Sequence, residues 1–244
     1  MDNWAYNDNQ IINEEQAWIY KRTESGIDYS TIVSYAGANR NDISIPAEKD
    51  GVKLKTITTK ALFELYFTGT LKIPITVTSI GQAALNKNSV TYVDNGDGTL
   101  TDGFVYAKSE DGSVDYTNIV GYAKVNTANV VIPSNVKKIS DYAFYYSFIK
   151  GVVLPEGLIE IGKNAFELCY LGPEVTIPST VTKIGNSAFY KVINWSTFNA
   201  SLTKIINKTG RKFDWKAITG GPTEATFEYG TVENWYGNIE VVKG

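Results

Sequence analysis

The stretch Asp94-Asn95-Gly96-Asp97-Gly98-Thr99, followed by Asp102, comes closest to a site for chemistry, because short oxygen-bearing side chains interleaved with glycine are what a calcium loop requires. Setting Asp97-Gly98 on the Asp-Gly step of the helix-flanked calcium loop, however, leaves Val93 at the first ligand position and Phe104 at the twelfth. Neither offers an oxygen, so the stretch reads as a turn. Glu156 with Glu160, or Glu167 with Glu174, is a carboxylate pair of the kind a glycoside hydrolase uses. Such a pair needs a set separation across a cleft, and the spacing supplies none. Histidine is absent and Cys169 is the single cysteine. Ser-His-Asp, Cys-His and histidine-metal mechanisms therefore fall away, as do a cysteine-rich zinc site and an intrachain disulfide. No catalytic residue, cofactor or metal is expected, and the chain reads as a non-enzyme.

What would position any functional side chain is a repeat. Val131-Ile132-Pro133, Val153-Leu154-Pro155 and Thr176-Ile177-Pro178 place prolines 22 and 23 residues apart. Each proline is followed by an aliphatic residue, an isoleucine and an Ala-Phe pair: Val136, Ile139 and Ala143-Phe144; Leu158, Ile161 and Ala165-Phe166; Val181, Ile184 and Ala188-Phe189. From proline to phenylalanine the distance is 11 in all three. Upstream, Lys72-Ile73-Pro74 keeps that spacing with Leu85 in place of Phe, and Ser44-Ile45-Pro46 reaches Phe63 after six extra residues around Asp50-Gly51. One such unit cannot bury its apolar side chains alone, whereas stacked units bury a continuous column. Five coils are expected, with a small residue at each crowded corner and a phenylalanine filling the interior. The short period leaves room for strands and single helical or 3₁₀ turns but not for a full helix.

A longer repetition overlies the first. Tyr20, Gly26, Asp28-Tyr29, Ile32-Val33, Tyr35 and Pro46 match Tyr106, Gly112, Asp115-Tyr116, Ile119-Val120, Tyr122 and Pro133, at an offset of 86 and then 87. The predicted organisation is an N-terminal segment at 1–17, a first block at 18–101, a second block at 102–200 and a cap at 201–244. Each block opens with a β-hairpin, and together they make one continuous solenoid domain. The cap follows from physics, since open solenoid ends expose apolar interior and unpaired edges. Trp195, Trp215 and Trp235 read as core filling there, and Cys169 as a small buried hydrophobe.

Ile177-Pro178 through Ala188-Phe189, in the pattern Ile-Pro-x-x-Val-x-x-Ile-Gly-x-x-Ala-Phe, resembles the BspA-like leucine-rich repeat. The resemblance covers roughly Ile43 to Phe189. It departs from the pattern at Leu85, at the long first coil and at Ser140, where Gly is usual. Cys169 falls where that family often carries cysteine, and Ile206 to Trp215 resembles the closing segment of many such bacterial proteins. The resemblance implies a leucine-rich-repeat solenoid of the α/β-horseshoe class, here strand-rich. It also implies a cell-surface or secreted protein used for adhesion or binding, with a protein or carbohydrate ligand on a host or neighbouring cell.

Three further readings bear on partners. The net charge is −3 with no long basic run, which disfavours nucleic acid. No apolar run approaches a membrane span, so membrane insertion is not expected, and a monomer is. Met1-Asp2-Asn3-Trp4 lacks the plan of a signal peptide, so the chain either stays inside the cell or has had an export signal replaced. Alternation along the coil strands predicts an outward column of Ser44, Lys72, Val131, Val153 and Thr176 across one sheet. Tyr145, Tyr146, Tyr170 and Tyr190 follow the Ala-Phe pairs and are candidates for an aromatic strip. A binding or adhesion module is the leading function. A structural scaffold or surface-appendage subunit is the alternative, and a glycoside hydrolase a remote one.

Overall fold

Short strands form here because each coil offers only two to four residues of alternating Val, Ile and polar side chains before a proline or glycine ends the ladder. The computed structural model describes residues 17–38, 40–125, 129–194, 199–220, 226–233 and 237–244. Trp195 and Trp235 lie outside them, as does all but the last residue of segment 1–17. The chain divides into two compact units, Met1–Asp115 with Tyr122–Lys124, and Tyr116–Gly121 with Val125–Gly244.

In the first unit, β1 (Trp18–Thr23) and β2 (Gly26–Tyr35) form an antiparallel hairpin. Trp18 faces Tyr35 at a ring separation of 4.6 Å. The six extra residues of the first coil form a small hairpin, β3 (Glu48–Lys49) with β4 (Val52–Lys53), turned by Asp50 and Gly51 at φ 51° and 77°. β5 (Thr56–Ile57) pairs in parallel with β2, so that Ile57 lies beside Ile32. β6 (Thr70–Lys72) belongs to a separate sheet, and β7 (Ser79–Ile80) extends the β5 ladder. β8 (Tyr92–Asp94) pairs in parallel with β6 and antiparallel with β9 (Leu100–Thr101). β10 (Phe104–Lys108) leads through a turn into β11 (Val114–Tyr122), where the Ser109 N–H donates to Ser113 O at 3.0 Å and the Ala123 N–H to Gly103 O at 2.8 Å. Buried Asn88 ties this unit's interior: its Nδ2 donates to Leu62 O and Leu85 O at 2.9 and 2.7 Å, and its Oδ1 accepts the Phe67 N–H at 3.0 Å.

The second unit repeats one plan at higher regularity. Strands at the proline end are β12 (Val130–Val131), β14 (Val152–Val153) and β16 (Glu174–Ile177). Strands after the proline are β13 (Lys138–Ile139), β15 (Glu160–Ile161) and β17 (Lys183–Ile184), which form a parallel ladder with the middle of β11. Phe144, Phe166 and Phe189 are buried and stacked at 5.0 and 5.4 Å, which is the interior column that the 11-residue spacing predicts. Cys169 is buried beneath it, with its thiol donating to Phe144 O at 3.0 Å.

The return path of each coil differs from the 3₁₀ turns expected. Tyr142 and Tyr146 have φ of 59° and 58°, as do Asn164 and Leu168 at 55° and 62°, values a right-handed 3₁₀ turn does not contain. Alternate N–H groups close local turns, as Ala143 does to Ser140 O, while those between reach the next coil, as Phe144 does to Ala165 O. In the 142–147 turn every backbone donor is thereby used, and the left-handed residues are held by bonds on both sides.

Beyond the last coil, β18 (Ile193–Asn194) pairs with β19 (Asn199–Ala200), and β20 (Lys204–Asn207) adds to β16 in parallel. β21 (Phe213–Asp214) leads into the single helix among the described residues, α1 (Trp215–Thr219), whose Asp214 cap accepts the Ala217 N–H at 3.0 Å. β22 (Thr226–Phe227) pairs with β21, and β23 (Gly230–Val232) covers β24 (Ile239–Lys243), which itself adds to β20. Trp215 is fully buried.

Candidate functional site

The expected outward column resolves into three sets, not one. In the first unit Ser44 and Lys72 are bridged in parallel and the row continues to Asp94, with Ile43, Ile45, Leu71, Ile73 and Val93 pointing inward and buried. In the second unit Val131 pairs with Val153, both held outward by the burial of Val130, Ile132 and Leu154. Thr176 belongs to a separate ladder with Ile206 and Val242. The break between β14 and β16 falls where the period lengthens from 22 to 23 and Pro173 brings a residue without an N–H. Ile206 and Val242 were not among the expected site residues. Their signal was the β-branched runs Lys204-Ile205-Ile206-Asn207 and Glu240-Val241-Val242, which carry no proline and so escape a search keyed on it.

These rows have different chemistry. Val131 and Val153 are 66% and 55% exposed and adjacent. On the separate β16–β20 ladder the charges are paired with each other, Lys204 Nζ lying 3.1 Å from Glu174. Of the four tyrosines, the structure brings Tyr145 and Tyr146 together at 6.1 Å, with Tyr142 and Phe148 extending the cluster at 5.7 and 4.8 Å. Tyr190 occupies the position of Tyr145 two coils on, with Glu167 between them, and packs against Gly220 and the Lys191 ammonium. Tyr170 takes the place that Phe148 holds one coil earlier, and it is half-buried. Burial, and then the Glu167 carboxylate, raise the Tyr145 hydroxyl above its ordinary range.

The carboxylates are engaged in ion pairs and hydrogen bonds. Glu160 lies 2.8 Å from Lys183 and 3.5 Å from Lys138, and the hydrogen bond from Lys183 holds it below the usual carboxylate range, the reverse of what a general acid needs. Glu167 accepts from the Asn164 amide, and Glu156 accepts from Ser179 Oγ at 3.1 Å. In the Asp94–Asp102 stretch, Asp94 Oδ1 accepts the Gly96 and Gly98 N–H groups at 2.8 and 3.0 Å, and Asp97 Oδ1 accepts that of Thr99 at 2.9 Å. The carboxylates thus hold the turn itself. The cation beside them is Lys108, whose ammonium donates to Pro74 O at 2.7 Å and which burial pushes down to about 8 against the pull of Asp94 and Asp97.

Residues 120–214 match the family model described as the BspA type leucine-rich repeat region (6 copies). Among solved structures, a leucine-rich cell surface protein from Faecalibacterium prausnitzii is 19% identical, with 97% of this chain and 60% of that chain covered and a TM-score of 0.46. A leucine-rich repeat protein from Eubacterium ventriosum is 21% identical over 64% of this chain and 46% of that one, with a TM-score of 0.44. The pneumococcal vaccine antigen PcpA is 18% identical over 66% and 44%, with a TM-score of 0.46. This chain spans about 60% of the length of the first of these. No curated protein matches it. Among the described residues no helix is long and apolar enough to cross a membrane.

Proposed function

We propose that this protein, whose residues 120–214 match the BspA-type leucine-rich repeat region, is a non-catalytic binding or adhesion module of a bacterial cell-surface or secreted protein. The single observation that carries this reading is the exposed Val131–Val153 pair. Two β-branched side chains more than half in water contribute little to folding, and adjacent apolar residues on the outward face of a sheet are what a ligand patch requires. The ligand is a protein or carbohydrate with an apolar face, and Thr176, Ile206 and Val242 are further candidates in the same unit. In the first unit the Ser44–Lys72–Asp94 row is hydrophilic and serves as sheet surface. The segment at 201–244 is a cap whose outward residues Ile206 and Val242 extend the candidate surface.

The test is to screen the purified chain on glycan and host-matrix arrays beside a Val131→Lys/Val153→Lys variant. Binding by the parent and loss in the variant is the expected result. Silence of the parent at micromolar concentration, or undiminished binding by the variant, overturns the reading.

A further inference from the structure

The last coil of the second unit is closed on two of its sides and open on the third. On the proline side, β20 continues the sheet from β16 and β24 follows it, with β23 covering the edge. On the return side, the Ser187 and Phe189 N–H groups donate to Ala217 O and Ile218 O at 2.7 and 3.0 Å. On the third side, among the described residues, the ladder β11, β13, β15, β17 stops at β17.

That ladder has a fixed rule. Lys137 and Ser140 donate to Thr117 O and Ile119 O, Ile159 and Gly162 donate to Lys137 O and Ile139 O, and Thr182 and Gly185 donate to Ile159 O and Ile161 O, all at 2.8 to 2.9 Å. The next acceptors in the series are Thr182 O and Ile184 O. Among the described residues no donor reaches either one. Thr182 and Lys183 are exposed, and Ile184 is half-buried where Ile139 and Ile161, each covered by a further strand, are fully buried. An open sheet edge of this kind is a template for an added strand.

The side chains specify what kind of strand. On the outward face the ladder alternates in charge, Lys138, Glu160, Lys183, and ends on a lysine whose side chain is 67% exposed. On the inward face Ile139, Ile161 and Ile184 run in register. Continuing both rows demands an acidic residue opposite Lys183 and an aliphatic residue immediately after it, opposite Ile184.

We infer that the open edge of β17 is a docking site for an extended peptide lying parallel to it, carrying an acidic residue followed by Ile or Val. The acidic residue neutralises the Lys183 end of the ladder. The N–H of the residue before it, and that of the residue two positions after it, donate to Thr182 O and Ile184 O. Backbone bonds give the affinity and the two side chains give the register. This edge is distinct from the Val131–Val153 face, so the two proposals stand or fall separately.

The probe is a synthetic peptide of this chain's own residues 156–164, Glu-Gly-Leu-Ile-Glu-Ile-Gly-Lys-Asn, which presents Glu160-Ile161 in the required order. It is titrated into the full chain while backbone amide shifts and hydrogen exchange are followed by NMR. Expected results are slowed exchange at the Ile184 amide, shifts confined to Thr182 through Asn186, and roughly fivefold weaker binding when the peptide carries Lys in place of its Glu160. A Lys183→Glu chain should reverse that preference. A peptide with Pro in place of Gly162 lacks the second donor and should not bind. Unchanged exchange at Ile184 with millimolar peptide, equal binding of the proline peptide, or protection of Ile184 that grows with protein concentration alone, as a second copy would give, overturns the inference.

Discussion

Two outward rows of the second unit share a backbone plan and differ in chemistry. Val131 and Val153 come from strands before the proline; Lys138, Glu160 and Lys183 come from strands after it. Both rows are held by inward neighbours that are almost wholly buried, Val130 and Ile132 in one case, Ile139 and Ile161 in the other. The inward positions are set by packing in either row. The outward ones are free to vary, and in one row they form ion pairs while in the other they leave apolar surface in water. Repetition therefore fixes the scaffold and confines function to side chains that the scaffold does not use.

The comparison rests on a common interior, and the largest effect comes from breaking it. Phe166→Ala removes the middle ring of the Phe144–Phe166–Phe189 stack and should destabilise the second unit by about 3 to 5 kcal/mol in urea unfolding. An unchanged midpoint would show that the ring is not structural. Val131→Lys/Val153→Lys should leave the same midpoint within about 0.5 kcal/mol, since the row carries no packing load. A large loss there would turn the proposed ligand patch into core.

Glu160→Gln should cost less than about 1 kcal/mol, as partly exposed ion pairs do. Because hydrogen bonding from Lys183 depresses the Glu160 pKa in the folded chain, the native state binds fewer protons than the unfolded one under acid conditions. Its contribution is complete above the ordinary carboxylate range and is lost as pH falls through the depressed value. The difference between parent and Glu160→Gln midpoints should shrink on acidification, whereas a Val131→Lys/Val153→Lys chain keeps the parent's profile over that range.

The first unit offers a pH-dependent effect. Burial lowers Lys108 to about 8, so the folded chain gives up that proton at a pH where the unfolded chain keeps it. The unfolded state then binds more protons, and stability relative to a Lys108→Met chain should rise as pH climbs from about 8 toward the ordinary lysine range. A flat difference across that window would place the ammonium in water.

Much of this was legible in the residues. The 11-residue step from proline to phenylalanine became the stacked rings, and Asp50-Gly51 became the tip of a hairpin. What was not legible has physical reasons. Spacing shows which residues are equivalent but not which neighbouring strands share hydrogen bonds, so one expected column became three sets, and Thr176 was found beside Ile206 and Val242. Equivalence also hides what intervenes: Tyr145 and Tyr190 match in register, yet Glu167 stands between them. Left-handed residues such as Tyr142 and Leu168 are not turn formers by composition, and only the alternating bond pattern of stacked coils stabilises them. The cation beside Asp94 comes from Lys108, on a different strand, which no local pattern could reveal.

The single thiol, buried under the phenylalanine column, makes the chain its own clock. Burial raises the Cys169 thiol to about 12, and the thiol is turned onto the Phe144 carbonyl, so in the native state it is neither ionised near neutrality nor reachable by an alkylating reagent. It becomes reactive only while the second unit is open. With no other cysteine to compete, the rate at which iodoacetamide adds one label per molecule reports the opening of that unit alone, coil by coil as neighbouring residues are changed.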